Sequence, residues 1–410
     1  MILITEEELL ELESRLSFQF FWEEANQDPN SPGYGLIRDR APGQKEMASI
    51  ASMGYGLTAY AIGVERGWVG RKEAEERTIG MLGTMLNNVE HNHGFFHHFL
   101  DMQTAKQYRG CEISVIDTAI LICGAIASGE YFGGEVKALA DRLYRQVDWN
   151  WYRNPATNQF YMGYLENKGG HFGTWDHYAE QFMMYFLGAG SPTHPADPEM
   201  FYDFDRYVGS YNGIEPIIHS TQGALFVYQF SHAWFDLRGK IDRDGRDWFE
   251  NSVLASKAAR QFCIDRAGQY RTFGPNSWGL TACDGPKGYS GGYGADPNTT
   301  DRDFVDSTIP PCGAAGSIVF TPRESIDALM HFYHEVPQLW GKYGFRDAYN
   351  LDVTPTWVAE DVIGIDKGIT LLMIENYRSE FVWNIFMKNK HVQEGMKKTG
   401  VVSREANTLA

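Results

Sequence analysis

The segment WDHYAE at 175–180 places the carboxylic acid of Glu180 among aromatic residues, just before an apolar run. Partial burial among rings disfavours the charged form of an acid, so Glu180 could stay protonated near neutral pH and donate a proton to a leaving oxygen. Glu180 could instead occupy the first turn of a helix, where the helix dipole favours a carboxylate. The residues alone leave both interpretations open.

Asp366 is the best candidate for a second reactive carboxylate, because it follows Asp361 at a junction between a loop and an apolar segment. A base that activates water must be ionised and within reach of solvent, as a loop aspartate would be. Asp366 could equally be the N-cap of a helix that begins near Gly368. Glu112 and Asp117, at the start of another apolar segment, could bind substrate hydroxyls or serve as an internal cap or ion pair.

Other patterns do not support metal, cofactor or serine-nucleophile chemistry. His91, His93, His97 and His98 are close together, but they lack HExxH spacing and a complete ligand set. The acids around Gly245 do not match a calcium loop, because the glycine and the closing glutamate are misplaced. The glycine-rich run at 288–294 has no phosphate-loop lysine, and no GxSxG motif is present. We therefore predict neither a metal nor a cofactor.

Helices must position these acids, because apolar residues recur mainly at spacings of three and four. Thr5 and Glu8 form a capping-box pattern, and Thr321-Pro322 with Glu324 predicts another helix start. Gly67 to Gly70 predicts a turn between two helices. The predicted helices cover 5–24, 47–61, 71–85, 113–129, 134–146, 176–188, 221–237, 247–264, 322–335 and 366–388. The long polar loops at 26–45, 150–175, 189–198, 268–311 and 341–365 are typical of functional loops on one rim.

The composition excludes several classes of protein. The 410 residues are 43% hydrophobic and 22% charged, which is typical of a globular chain, and the net charge of −17 disfavours nucleic acid as a partner. Five widely spaced cysteines predict free thiols. No window is apolar enough to predict a membrane partner, and the N-terminal residues lack a signal-peptide pattern, which predicts a cytoplasmic protein. The oligomeric state stays open.

Several ordered motifs together resemble the glucoamylase-like proteins of glycoside hydrolase family 144. The resemblance spans most of the chain. The segments that carry it are YAE at 178–180, SPTHP at 191–195, FSHAWFDLRGK at 230–240, WGLTACDGP at 278–286 and MIENYR at 373–378, with GLIRDR at 35–40, EISVIDT at 112–118 and DSTIP at 306–310.

This resemblance implies an all-α fold, a single (α/α)6 barrel over residues 1–410 made of six helical hairpins. It also implies hydrolysis of β-1,2-linked glucan or its oligosaccharides with inversion at the anomeric carbon. Glu180 would be the general acid and Asp366 the general base, with Asp361 and Glu112 as alternatives. The candidate substrate contacts are Asp39, Arg40, Asp117, Trp175, His177, Tyr178, His232, Trp278, Asp284 and Arg378.

Two other functions fit the same residues. A phosphorylase or transglycosylase acting on a related gluco-oligosaccharide would differ in its dependence on phosphate. A catalytically inactive sugar-binding protein would bind such oligosaccharides without releasing reducing ends.

Overall fold

The computed structural model describes residues 4–299 and 306–404. The first three residues and positions 300–305 of the predicted loop 268–311 lie outside this part of the chain. The α-helices are α1 (Glu6–Glu23), α2 (Ile50–Glu65), α3 (Arg71–Asn87), α4 (Val115–Phe132), α5 (Gly134–Arg145), α6 (Phe182–Gly190), α7 (Trp248–Asp265), α8 (Pro311–Gly316), α9 (Pro322–Glu335), α10 (Gly364–Ser379), α11 (Phe381–Phe386) and α12 (Lys390–Lys398).

Most predicted helices are confirmed, with changes at their ends. The Thr5 hydroxyl accepts from the Glu8 amide and the Glu8 carboxylate accepts from the Thr5 amide, so the capping box starts α1 as predicted. At the start of α9, Pro322 occupies the first turn as predicted. No side chain caps this end, so the prediction that Glu324 bonds back to the cap residue is wrong. The predicted helix 366–388 is divided into α10 and α11 because Glu380 adopts a left-handed conformation.

The predicted helix 221–237 is wrong. The segment forms two buried single turns of 3-10 helix, Leu225–Tyr228 and Ser231–Ala233. Its polar groups bond to neighbouring elements, since the Tyr228 carbonyl accepts from the Ser252 hydroxyl at 2.9 Å and the Gln229 amide donates to the Gly313 carbonyl at 2.8 Å. These bonds replace the intrahelical ladder while the apolar residues still fill the core.

The strands are short and join loops to one another, mostly as two-stranded antiparallel pairs. The longest pair is a hairpin at 207–219 that the sequence did not predict. The strands are β1 (Arg40–Ala41), β2 (Met47–Ser49), β3 (His91–Asn92), β4 (Phe95–Phe96), β5 (Phe99–Asp101), β6 (Ile113–Ser114), β7 (Arg153–Asn154), β8 (Gln159–Phe160), β9 (Gly163–Leu165), β10 (Gly170–Phe172), β11 (Tyr207–Tyr211), β12 (Ile214–His219), β13 (Lys240–Ile241), β14 (Cys283–Gly285), β15 (Gly288–Ser290), β16 (Trp340–Gly341), β17 (Gly344–Phe345), β18 (Tyr349–Asn350), β19 (Trp357–Val358), β20 (Val362–Ile363) and β21 (Val402–Ser403).

Five helices are buried inside the protein, namely α2, α4, α6, α8 and α10. α2 packs against both α4 and α10, α4 packs against α6, and α8 packs against α10. One hydrophobic cluster extends from Leu9 to Val401 and includes residues of all five helices. α4 is long and apolar enough to cross a membrane by length and composition, but 78% of it is buried inside the protein, as in a core helix.

Small residues allow the buried helices to approach closely. A Cβ atom added to Gly124 of α4 would lie 1.9 Å from the Gly54 carbonyl oxygen of α2, and one added to Gly368 of α10 would lie 2.2 Å from Cγ of Tyr55. Larger residues at these positions would separate the helices. Since β2, β6 and β20 lead directly into α2, α4 and α10, three short strands fix where these helices begin.

Candidate active site

A pocket of about 490 Å³ opens where these buried helices begin. It contains both acids that the sequence singled out most strongly, Glu180 and Asp366. The other lining residues are Asp39, Arg40, Gln44, Met47, His98, Phe99, Ile116, Asp117, Ile120, Phe226, Phe230, Ala282, Tyr289, Ile363 and Ile365.

Strand pairing brings distant parts of the chain to this pocket. β1 pairs antiparallel with β20, so that Arg40 lies opposite Ile363. The Asp39 carbonyl accepts from the Gly364 amide at 2.7 Å, which joins the loop before β1 to the first residue of α10. These bonds place Asp39 and Asp366 on the same wall although more than 300 residues separate them in sequence.

Glu180 precedes α6 rather than lying in its first turn, because the N-cap is Gln181 and the helix begins at Phe182. The helix-dipole explanation for this acid therefore does not hold. The Gln181 side chain accepts from the Ala179 amide and donates to the His177 carbonyl, which fixes the loop. The Glu180 carbonyl accepts from the Ser231 hydroxyl at 2.7 Å.

The surroundings of Glu180 favour a protonated acid. Burial is the main cause that raises the pKa of Glu180 to about 7; a hydrogen bond from its own backbone amide opposes the rise, and the negative charge of Asp117 adds to it. An acid with this pKa can hold a proton near neutral pH and release it to a leaving group. This is the protonation state that its aromatic surroundings predicted.

A second cavity, of about 270 Å³, is also lined by Glu180 and shares Phe226 with the first. It is lined by Trp175 and by His177, two of the predicted substrate contacts. The His177 ring contacts the Asp176 carboxylate at 2.6 Å and the Thr221 hydroxyl at 3.2 Å. Glu180 therefore lines both cavities. In a molecule that occupied both, the bond between its two parts would lie next to this acid.

Asp366 lies in the first turn of α10, whose N-cap is Ile363, so the predicted capping role of Asp366 is wrong. It is 8% exposed and lines the pocket. Burial outweighs the hydrogen bonds from Asp347 and Cys312 that favour the charged form, and the pKa of Asp366 is raised to about 6. An aspartate with this pKa is ionised near neutral pH, as a base must be.

His98 carries a positive charge on the opposite wall. Its Nδ1 lies 2.8 Å from Glu112 Oε1 and its Nε2 lies 3.6 Å from Asp117 Oδ2. Burial opposes this charge, yet the carboxylates of Asp117, Glu112 and Asp39 raise the pKa of His98 to about 9. The hydrogen bond with His98 is in turn the main cause that lowers the pKa of Glu112. Glu112 is therefore bound to an imidazolium and does not line the pocket.

Arg40 joins the acids on the pocket wall. Its guanidinium donates to both oxygens of Asp284, at 3.1 and 3.0 Å, and lies 3.3 Å from Asp39 and 3.5 Å from Asp361. Asp361 also accepts from the Gly43 amide at 2.7 Å. Burial raises the pKa of Asp39, although Arg40 opposes this change. Asp284 and Asp361 thus position the Arg40 side chain at the pocket wall. Neither of these two acids lines the pocket itself.

Besides Asp284, four predicted substrate contacts line neither cavity. Tyr178 is buried against Trp248 and Phe182. His232 is bonded to Ser252 in the core, where burial lowers its pKa to about 3.

Trp278 is 0% exposed and belongs to the hydrophobic core. Arg378 pairs with Glu7 and Glu11 of α1. It lies about 18 Å along α10 from Asp366, at 1.5 Å for each residue. The resemblance implied all four as contacts, whereas the structure places Tyr178, His232 and Trp278 in the core and Arg378 in ion pairs with α1.

Sequence reasoning missed several residues at the site. Tyr289 is 52% exposed at the pocket edge on the β14–β15 hairpin, and Phe226 and Phe230 extend from the two short turns before α7. His98 stood out only as part of a histidine cluster, and Asp347 had no local pattern that marked it. Within residues 4–299 and 306–404, no group of three or more His, Cys, Asp or Glu side chains could hold a metal ion, and all five cysteines are free thiols.

A family model named "Glycoamylase", described as "Putative glucoamylase", matches residues 173–390, a range that includes both Glu180 and Asp366. An exo β-1,2-glucooligosaccharide sophorohydrolase (non-reducing end) from Parabacteroides distasonis is 29% identical over 438 residues, which cover 96% of this chain. The chain spans 58% of the length of this curated relative.

Two solved structures share the fold at similar identity. An endo-β-1,2-glucanase from Chitinophaga pinensis, in complex with sophorotriose and glucose, is 29% identical with a TM-score of 0.85 and covers 98% of this chain and 99% of its own. A β-1,2-glucanase from Parabacteroides distasonis is 28% identical with a TM-score of 0.85 and covers 98% of this chain and 61% of its own.

Proposed function

Because this chain belongs to the glucoamylase-like family that its motifs resemble, we propose that it is a glycoside hydrolase of β-1,2-linked glucan or gluco-oligosaccharides. The observation that carries the proposal is the pairing of Glu180 and Asp366 in one pocket, with pKa values of about 7 and about 6. Glycoside hydrolysis needs one protonated and one ionised carboxyl group on opposite sides of the scissile bond. The β-1,2 linkage is supported by the activities named for the relatives.

We further propose a single (α/α)6 barrel domain. The support lies in the contacts between helices: buried α2 lies between α4 and α10, α4 contacts α6, and α8 contacts α10. The buried turns at 225–233 supply the remaining inner element between α6 and α8. α1 contacts both α2 and α10, so the first and last parts of the ring meet.

In the proposed reaction Glu180 donates its proton to the glycosidic oxygen as the bond to the anomeric carbon breaks. Asp366 removes a proton from the water that attacks that carbon from the opposite face, so the configuration inverts. Asp39, Arg40 and Asp117 would bind sugar hydroxyls from the pocket wall, and Trp175 and His177 would contact the sugar in the second cavity. Charge-assisted hydrogen bonds of this kind orient a substrate strongly.

A linkage panel tests the proposed activity. The protein is incubated with β-1,2-, β-1,3-, β-1,4-, β-1,6- and α-1,4-linked gluco-oligosaccharides, with and without phosphate, and products are separated by chromatography. We expect cleavage of the β-1,2 series without phosphate. Cleavage of the α-1,4 series would assign a different linkage, release only with phosphate would indicate a phosphorylase, and binding without release would indicate a sugar-binding protein.

The anomer of the first product tests inversion. A β-linked substrate hydrolysed by a single displacement releases the α-anomer, because water attacks from the face opposite the leaving group. We expect proton NMR during early turnover to record the α-anomer before mutarotation equilibrates it. Initial release of the β-anomer would contradict the roles given to Glu180 and Asp366, since retention requires a nucleophile.

The rate should depend on pH through both acids. Asp366 must be ionised, so kcat/KM should fall as the pH decreases through about 6, and Glu180 must be protonated, so it should fall as the pH rises through about 7. We expect a narrow bell with its maximum between these values, measured with β-1,2-gluco-oligosaccharide. A rate that stays constant on the alkaline side would exclude a proton donor with the pKa of Glu180.

A further inference from the structure

Asp347, in the loop between β17 and β18, lies directly behind Asp366. It is 4% exposed and, with Asp366 and Cys312, lines a small cavity of about 10 Å³, which could hold little more than one water molecule. The Asp347 and Asp366 carboxyl groups are close enough to share a hydrogen bond. Neither carboxyl group has an opposing lysine or arginine bonded to it among the described residues.

Each carboxyl group has one satisfied and one unsatisfied oxygen. Asp347 Oδ2 accepts from the Asp284 amide at 2.6 Å, and Asp366 Oδ1 accepts from the Cys312 thiol at 3.3 Å. Asp347 Oδ1 and Asp366 Oδ2 are buried with no donor in the described part of the chain. Two adjacent buried acceptors are costly, and one proton between them would satisfy both at once.

We infer that Asp347 is a carboxylic acid whose hydroxyl group donates to Asp366, so that the pair holds one proton and one negative charge and Asp347 positions the base. The positioning role rests on the proposed function, whereas the shared proton does not. Two carboxyl groups in contact cannot both ionise at ordinary cost, as in other paired aspartates.

The proton belongs on Asp347 rather than on Asp366 for two reasons. Asp366 is the third residue of α10, where the helix dipole stabilises a negative charge, whereas Asp347 lies outside any helix. Asp366 also lines the open pocket, but Asp347 does not. In agreement, burial raises the pKa of Asp347 well above its ordinary value, and the charge of Asp366 raises it further.

The other charged groups near the pair strengthen this arrangement. Nearby carboxylates disfavour a second negative charge, and two of the cations around the pair, Arg40 and Lys367, are already bonded to other acids. The groups that face it are Asp39, Asp284 and Asp306, the thiols of Cys283 and Cys312, the phenol of Tyr289, Arg40 paired with Asp284, Arg346 on the small cavity, and Lys367 paired with Glu13.

Two substitutions of Asp347 separate a protonated acid from an ionised one. Asp347→Asn retains an oxygen for the Asp284 amide and gives Asp366 an N–H donor, so it reproduces the protonated acid. Asp347→Leu removes the donor. Asp352 is a matched control, because it accepts from the Arg271 amide at 2.7 Å and the Ser307 hydroxyl at 2.6 Å, and these bonds lower its pKa although burial opposes them.

The first measurement needs no substrate. Infrared spectra above pH 7 of wild-type protein labelled with 13C-aspartate, in which Glu180 does not contribute to the shifted band, should contain the carbonyl band of a protonated aspartic acid that Asp347→Asn diminishes. Asp347→Asn should keep the wild-type urea midpoint, whereas Asp352→Asn should lower it. A shifted band of unchanged intensity in Asp347→Asn would overturn the inference. If that variant does not fold, the band is sought in labelled Asp39→Asn protein, because burial also raises the pKa of Asp39 and this substitution removes its contribution. Presence of the band there supports the inference and its absence overturns it.

The second measurement tests positioning through the pH profile. In Asp347→Leu the acidic limb of kcat/KM should move up by about one pH unit, since a hydrogen bond to a charged group contributes roughly that much. It should stay within about 0.3 units in Asp347→Asn. Equal shifts in the two variants would overturn the positioning role. Absence of glycosidase activity in the wild type would contradict the proposed function but leave the infrared result intact.

Discussion

Glu180→Gln is expected to lower turnover of β-1,2-gluco-oligosaccharides at least ~100-fold, which is the usual contribution of general acid catalysis. Glutamine has nearly the same shape but cannot release a proton. The surrounding hydrogen bonds of the loop, which involve the Glu180 carbonyl and the Gln181 side chain, do not depend on the carboxyl group. KM and the fold should therefore change little, as measured by initial rates and circular dichroism.

The leaving group provides a sharper test of the same substitution. A nitrophenyl β-sophoroside releases a phenolate that needs little protonation, so Glu180→Gln should lose much less activity on it than on an oligosaccharide. Glu199→Gln is the matched control, because Glu199 is exposed and pairs with Arg243 on the surface at 2.7 Å. Unchanged turnover of the oligosaccharide in Glu180→Gln would remove this residue from the mechanism.

The raised pKa of Glu180 also affects stability. The folded protein keeps a proton on Glu180 up to about pH 7, whereas the unfolded chain releases it near the ordinary value of 4.5. The native state thus loses stability as the pH rises from 4.5 through 7, because ionisation of the buried acid is unfavourable there. Glutamine has no such cost. Glu180→Gln should raise the free energy of unfolding above pH 7 by up to about 3 kcal/mol, with no gain below pH 4.5.

Local patterns predicted the helices well and their connections poorly. The capping box at Thr5 and the turn at Gly67 to Gly70 depend on bonds within a few residues, and both are confirmed. The two turns at 225–233 have helical spacing of apolar residues, but Ser252 and Gly313, far along the chain, bond their polar groups instead. Spacing cannot reveal such partners. The short helices α8 and α12 were missed because fewer than ten residues give little periodicity.

The candidate site shows the same difference between residues that local patterns mark and residues that only distant contacts bring together. Glu180 and Asp366 could be found because aromatic neighbours and a loop-to-helix junction mark them locally. Asp347 is significant only because β17 and β18 place it behind Asp366, which no local spacing records. The resemblance named Trp278 and His232 as contacts, but the structure buries both in the core, and residue type cannot distinguish a ring that lines a pocket from one that fills a core.

Asp366→Asn should also lower turnover at least ~100-fold, but with a different response to the leaving group. A base acts on the attacking water, so an activated nitrophenyl substrate should not recover the lost rate, in contrast to Glu180→Gln. Asparagine keeps the oxygen that accepts from Cys312, and binding of the oligosaccharide, measured by calorimetry, should therefore persist.

The alternative base provides the comparison for this substitution. Asp361 accepts from the Gly43 amide and lies 3.5 Å from Arg40, so its carboxylate stabilises the pocket wall through these two partners. Asp361→Asn should therefore affect KM more than kcat, whereas Asp366→Asn should affect kcat more than KM. Wild-type rates in Asp366→Asn, with a large loss of kcat in Asp361→Asn, would transfer the role of base to Asp361. Asp361 is paired with the Arg40 cation, which holds its negative charge, whereas Asp366 receives only neutral donors, and that difference favours Asp366 as the group that takes a proton from water.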